Sequence, residues 1–105
     1  MIRVSFLYPN KPGSRFDAEY YINTHMPLVI KRLGSAVKGV SAEIGMSGPM
    51  PGSQPANAAI ATFTFDSVEA FTEAVMPHYA ELQGDIPNYT DIEPVVQISD
   101  LRISK

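Results

Sequence analysis

The chain opens with a period of two. Ile2, Val4, Phe6 and Tyr8 alternate with Arg3, Ser5 and Leu7, which predicts a strand. Pro9 to Ser14 closes it as a turn-rich loop. The period then lengthens: Ile22, Met26, Val29 and Leu33 recur at helical spacing, and Asp17 stands where an N-cap belongs. Pro27 falls inside this stripe. It has no N–H to donate, so a kink or split is expected near His25. Gly34 or Gly39 marks the far end of the helix.

Val40, Ala42, Ile44 and Met46 alternate again and predict a second strand. A Gly/Pro/Ser-rich loop, Ser47 to Pro55, leads to a third strand from Asn57 to Phe65. Both faces of that strand read as apolar or small, which makes it central. Asp66-Ser67-Val68-Glu69 has the form of a capping box. Val68, Phe71, Val75, Tyr79 and Leu82 then trace a second amphipathic helix, interrupted at Pro77. Gly84 to Thr90 reads as a loop and Val95 to Ile103 as the last strand. The order β-α-β-β-α-β is that of an α+β, ferredoxin-like unit: an antiparallel four-stranded sheet with two helices on one face. Strands apolar on both faces leave a sheet surface in need of cover, and a second copy of the chain is the simplest partner. A homodimer through the sheet faces is therefore expected.

Composition narrows the function. The 105 residues fit one domain, 45 % hydrophobic and 18 % charged. The lack of cysteine excludes disulfides, thiolate metal sites and a cysteine nucleophile. No apolar stretch is long enough for a membrane span, and the first strand is too short for a signal peptide. A cytoplasmic protein without membrane contact is expected. Net charge is −3, unevenly spread: most Lys and Arg precede Gly39, and no Lys or Arg occurs from Gly39 to Leu101. Dispersed bases and an acidic second half argue against a nucleic-acid partner.

The candidate chemistry centres on His25, beside the core stripe and next to the Pro27 break. It is either a partly buried histidine holding a freed carbonyl or a general acid/base at a pocket. His78 follows Pro77 and is either a helix-terminal residue or a second acid/base. Tyr8, Tyr20, Tyr21 and Tyr79 can hydrogen-bond a carbonyl or phenolate, or simply pack; Phe6 and Phe63 line a pocket or fill the core. A single histidine with no acid one turn away is a poor metal set, so no metal is expected. Phosphate-binding glycine loops and the Gly-x-Ser-x-Gly elbow are absent.

The segment Phe16 to Leu28, with Phe16-Asp17, Tyr20-Tyr21 and His25-Met26-Pro27-Leu28, resembles the opening signature of the EthD family. Asn88-Tyr89-Thr90 and Ile92-Glu93-Pro94 fit the family's closing stretch. The resemblance implies a dimeric α/β barrel with a pocket between sheet and helices. The wider superfamily includes muconolactone-type isomerases, cofactor-free monooxygenases, polyketide cyclases and haem-degrading enzymes. What it implies here is an enzyme without a cofactor, an oxidoreductase or an isomerase/cyclase, acting on a small apolar metabolite. His25 and His78 are its expected catalytic residues, and Tyr20, Tyr21, Tyr79, Phe6 and Phe63 its substrate contacts. A non-catalytic carrier of a small hydrophobic ligand is the alternative, and haem binding a weaker one.

Overall fold

The structure, a computed structural model, describes residues 1–105. Four strands form one sheet: β1 (Ile2–Pro9), β2 (Gly39–Ile44), β3 (Asn57–Phe65) and β4 (Val95–Asp100). Their order is β2-β3-β1-β4 and every neighbouring pair is antiparallel. The expected ferredoxin-like topology is therefore present, with β1 and β3 at the centre. Two helical stretches, each broken once, cover one face. The first comprises α1 (Ala18–Tyr20), a π-helical turn (Tyr21–His25) and α2 (Met26–Leu33). The second comprises α3 (Val68–Val75), a 3-10 turn (Met76–His78) and α4 (Tyr79–Asp85), followed by another 3-10 turn (Ile86–Asn88).

The π turn is what the sequence pattern did not foresee in detail. The Asp17 carboxylate caps the helix by accepting from the Tyr20 N–H, as expected. Ten residues beyond Asp17, Pro27 lacks a donor and its ring crowds the carbonyl of residue 23. The chain widens by one residue, and the Met26 N–H reaches back to the Tyr21 carbonyl. That extra residue rotates the preceding face. Ile22, expected in the core stripe, is 38 % exposed, while Tyr21 and His25 are buried with Met26, Val29 and Leu33.

Several boundaries move. Met46 lies beyond β2 and is exposed, and β4 stops at Asp100, short of Ile103. The cap of α3 is Ser67, whose Oγ accepts from the Ala70 N–H, so the cap sits one residue after the expected Asp66, and the third helical residue is Ala70 rather than the glutamate a capping box needs. Gly84 and Asp85 remain helical where a loop was expected. Gly45 is required by close approach: a Cβ there would overlap the Asn57 carbonyl oxygen.

Cross-strand register also corrects the reading of both sheet faces as apolar. Val4, Phe6 and Tyr8 share the helix-covered face with Ala59, Ala61 and Phe63, and most of these are buried. On the opposite face Arg3 meets Thr64 and Ser99, and Ser5 meets Thr62 and Gln97. Only Leu7, Ile60 and Val95 form an apolar end. This outer face is mixed because residues one apart on a strand point to opposite sides, and the polar set on all four strands falls in register. No helix is long and apolar enough to cross a membrane.

Candidate active site

His25 ends the π turn and is buried, 6 % exposed as a residue. Its Nδ1 lies 2.8 Å from Asp85 Oδ2, at the end of α4. Tyr20 donates its hydroxyl to Asp85 Oδ1 at 2.6 Å, and Asn88 Nδ2 donates to the same oxygen at 2.9 Å. The carboxylate is thus held from two sides by groups other than the histidine. Fastenings between distant segments fix this geometry. The Asp17 N–H donates to the Tyr89 carbonyl, Thr90 Oγ1 donates to the Arg15 carbonyl, and Phe16 forms a short β-bridge with Thr90. They pin the end of the second helical stretch against the start of the first.

A second chain of contacts leaves the other ring nitrogen. The Tyr89 hydroxyl lies 3.4 Å from His25 Nε2 and 2.7 Å from the Tyr8 hydroxyl. Tyr21 stacks on the imidazole, with centroids 5.7 Å apart and planes at 15°. Tyr8, Tyr21 and Tyr89 are all buried.

The electrostatics follow from burial. Desolvation lowers the His25 pKa below its ordinary 6.5, although the Asp85 carboxylate pulls the other way. Burial pushes Asp85 up, but hydrogen bonds from Tyr20, Asn88 and His25 outweigh it and hold the carboxyl below its usual range. At neutral pH the pair is a carboxylate facing a neutral imidazole. Asp85 accepts from Nδ1–H, which leaves the Nε2 lone pair as the acceptor. Burial raises the phenol pKa values of Tyr8, Tyr21 and Tyr89, so all three keep their protons.

Beside this network lies a cavity of about 220 Å³ between sheet and helices. The sequence-derived candidates His25, Tyr21, Tyr79, Phe6 and Phe63 all stand on its wall, and Tyr8 joins them. Tyr20 does not; it acts behind the wall, on Asp85. His78, half-buried in the 3-10 turn, is also off the wall. Asp85, missed in the sequence, lies in the segment expected to be a loop. Asn88 and Tyr89 are legible in the sequence only as part of the family's closing stretch. Asp85, Asn88 and Tyr89 are spaced three and four apart, and that helical spacing was the signal available. No group of three or more His, Asp or Glu side chains converges to hold a metal ion.

A family model describing the EthD domain matches residues 14–93. The chain belongs to the EthD family. An EthD-like protein from Ralstonia eutropha JMP134 is 46 % identical, over 99 % of this chain and 94 % of that one, with a TM-score of 0.94. An ethyl tert-butyl ether degradation (EthD) family protein from Bacillus halodurans C-125 shares the fold at 17 % identity. It covers 97 % of this chain and 99 % of its own, with a TM-score of 0.68. A putative antibiotic biosynthesis monooxygenase from Bordetella bronchiseptica shares it at 14 % identity, over 97 % of each chain, with a TM-score of 0.60. A search of the curated proteins found no significant match. The matched EthD segment contains His25, Asp85, Asn88 and Tyr89, while Tyr8 comes from the strand before it.

Proposed function

We propose that this EthD protein is a proton-transfer enzyme of isomerase or cyclase type, acting on a small, mostly apolar carbonyl or hydroxyl compound. The observation that carries the reading is the His25–Asp85 pair, 2.8 Å apart, with the His25 ring on the wall of an apolar cavity. His25 Nε2 removes a proton from the carbon next to a substrate carbonyl, and Asp85 stabilises the imidazolium that results. Tyr8 gives its hydroxyl proton to the carbonyl oxygen as the enol forms. Tyr89 stands between the two groups and returns the proton: Nε2–H passes to Tyr89, whose own proton restores Tyr8. Acid and base end as they began, with no electron gained or lost.

The test is hydrogen–deuterium exchange at the methyl group of a small ketone, 4-hydroxyacetophenone, followed by NMR in heavy water. The wild-type chain is expected to accelerate exchange, and His25→Gln to lose about 10²- to 10⁴-fold of that acceleration. Equal exchange by both would remove His25 from the chemistry. Ligand binding without any exchange would favour a carrier instead.

The proposal extends to a homodimer built through the outer sheet faces. Leu7, Ile60 and Val95 give that face an apolar end, and Arg3 Nε is enclosed there without a hydrogen-bond partner in its own chain. Glu43 lies on the same face, so self-pairing about a two-fold axis can match opposite charges. Sedimentation at micromolar concentration should give twice the 11.5 kDa chain mass; a monomer would sink this part.

A further inference from the structure

We propose that the cavity selects an uncharged, one-ring compound carrying a hydroxyl or carbonyl oxygen. The inference rests on the cavity beside His25 being the substrate site and adds the class of molecule it takes.

Size sets the first limit. At about 220 Å³ the cavity is smaller than the roughly 300–1,000 Å³ typical of pockets for drug-sized ligands. Filled at the packing density of a protein interior, it holds about ten non-hydrogen atoms, one substituted ring.

Charge sets the second. The wall side chains that carry nitrogen or oxygen are Tyr8, Tyr21, His25, Tyr79 and Gln83; no Lys, Arg, Asp or Glu is among them. A carboxylate or phosphate entering here would shed its water with no cation to meet it. It would also approach Asp85, whose negative charge sits directly behind the His25 ring. A cationic ligand fares no better, because the Asp85 oxygens are already taken by Tyr20, Asn88 and His25.

The remaining wall decides for a ring. Phe6 and Phe63 meet edge to face at 5.7 Å and 86°, and Phe65 and Phe71 at 5.3 Å and 62°. Such edge-to-face pairs present both faces and edges, which suits a flat aromatic guest. Tyr79 and Gln83 are exposed as well as wall-lining, so they mark the mouth; buried Tyr8 and His25 mark the inner end. A guest with its oxygen inward meets the Tyr8–Tyr89–His25 chain, and its ring lies among the phenylalanines.

Calorimetry on the intact chain near neutral pH tests this with three probes. These are 4-hydroxyacetophenone, 4-hydroxybenzoate (similar in size but anionic) and the three-ring 9-phenanthrol. The first should bind, the second at least about tenfold more weakly, and the third not at all. Ala61→Leu, which adds volume inside the cavity, should weaken 4-hydroxyacetophenone by about tenfold or more. Val96→Phe serves the same end from the half-exposed edge of the wall should Ala61→Leu fail to fold. Equal or tighter binding of the anion or the three-ring probe overturns the proposal. So does no binding of 4-hydroxyacetophenone at millimolar concentration, or binding that both filled-cavity variants leave unchanged. Deuterium exchange in the same samples keeps the two readings apart. Selective binding without exchange sinks the proton-transfer reading and supports the ligand class; exchange with a preference for the anion does the reverse.

Discussion

His25 and Asp85 stand 60 residues apart in the chain, and the imidazole Nδ1 lies 2.8 Å from the carboxylate Oδ2. One residue ends a π turn in the first helical stretch, and the other ends the second stretch. The contact orients the imidazole and fixes its tautomer, and the cavity wall gives that orientation a use.

Asp85→Asn should separate charge from shape. The amide keeps the size of the carboxylate but cannot stabilise an imidazolium or enforce Nδ1–H. Ketone exchange should fall by about 10²- to 10⁴-fold. Asp85 also pulls the His25 pKa upward against burial, so its loss should move the acid limb of the pH–rate profile to lower pH. An unchanged profile would mean that the carboxylate takes no part.

Tyr8 and Tyr89 share a buried hydrogen bond of 2.7 Å, and its value is best read from a double-mutant cycle. Tyr89→Phe strands the Tyr8 hydroxyl, and Tyr8→Phe leaves Tyr89 only its longer 3.4 Å contact with His25 Nε2, so each should destabilise the fold, the first by about 1–3 kcal/mol and the second by less. The double variant should lose less than the sum, because no unpaired hydroxyl remains. Denaturant unfolding of the four proteins measures this. Strict additivity would show that the pair is not coupled. Tyr89→Phe should also slow exchange, since it removes the only hydroxyl seen between His25 and Tyr8.

Stability should fall at both ends of the pH scale. His25 has its folded pKa lowered below 6.5, so its contribution is present above that value and is lost as pH falls through the folded pKa. Asp85, also lowered, adds a further loss below its ordinary 3.8. Tyr8, Tyr21 and Tyr89 are raised above 10.0, so their contribution is present below pH 10 and is lost as pH rises through their folded values. Thermal melts of wild type and His25→Gln should diverge in pH dependence between neutrality and the folded His25 pKa. Parallel curves there would contradict the lowered value.

The π turn makes an opposite prediction for two adjacent residues. Tyr21→Ala should destabilise by about 3–5 kcal/mol, whereas Ile22→Ala should stay near 1 kcal/mol or below. A regular helix with the periodicity of the sequence would reverse that order. Chemical denaturation of the two variants decides between them.

Much of the fold was legible because it rests on short-range rules. Period-two runs mark β1 and β3, Asp17 caps the first helix, and Pro27 and Pro77 announce both breaks. His25 and the wall residues Phe6, Phe63, Tyr21 and Tyr79 were legible too, from a motif and its aromatic neighbours. Boundaries erred where two local signals competed: Asp66 against Ser67 as a cap, and Gly84 as a stop against the helix that runs on to Asp85.

By itself, then, the sequence determined the order of elements, the histidine at the helix break and the aromatic supply around it, since each depends on residues within a turn or two of one another. The tertiary structure decided what the histidine does. Widening the turn before Pro27 swings Tyr21 and His25 inward in place of Ile22, which no periodic count contains. The sheet register gathers the polar residues on the outer face, since a one-residue shift would move every side chain to the other side. Asp85 and Tyr89 reach His25 only because the two helical stretches are pinned together, and chain packing alone sets that distance.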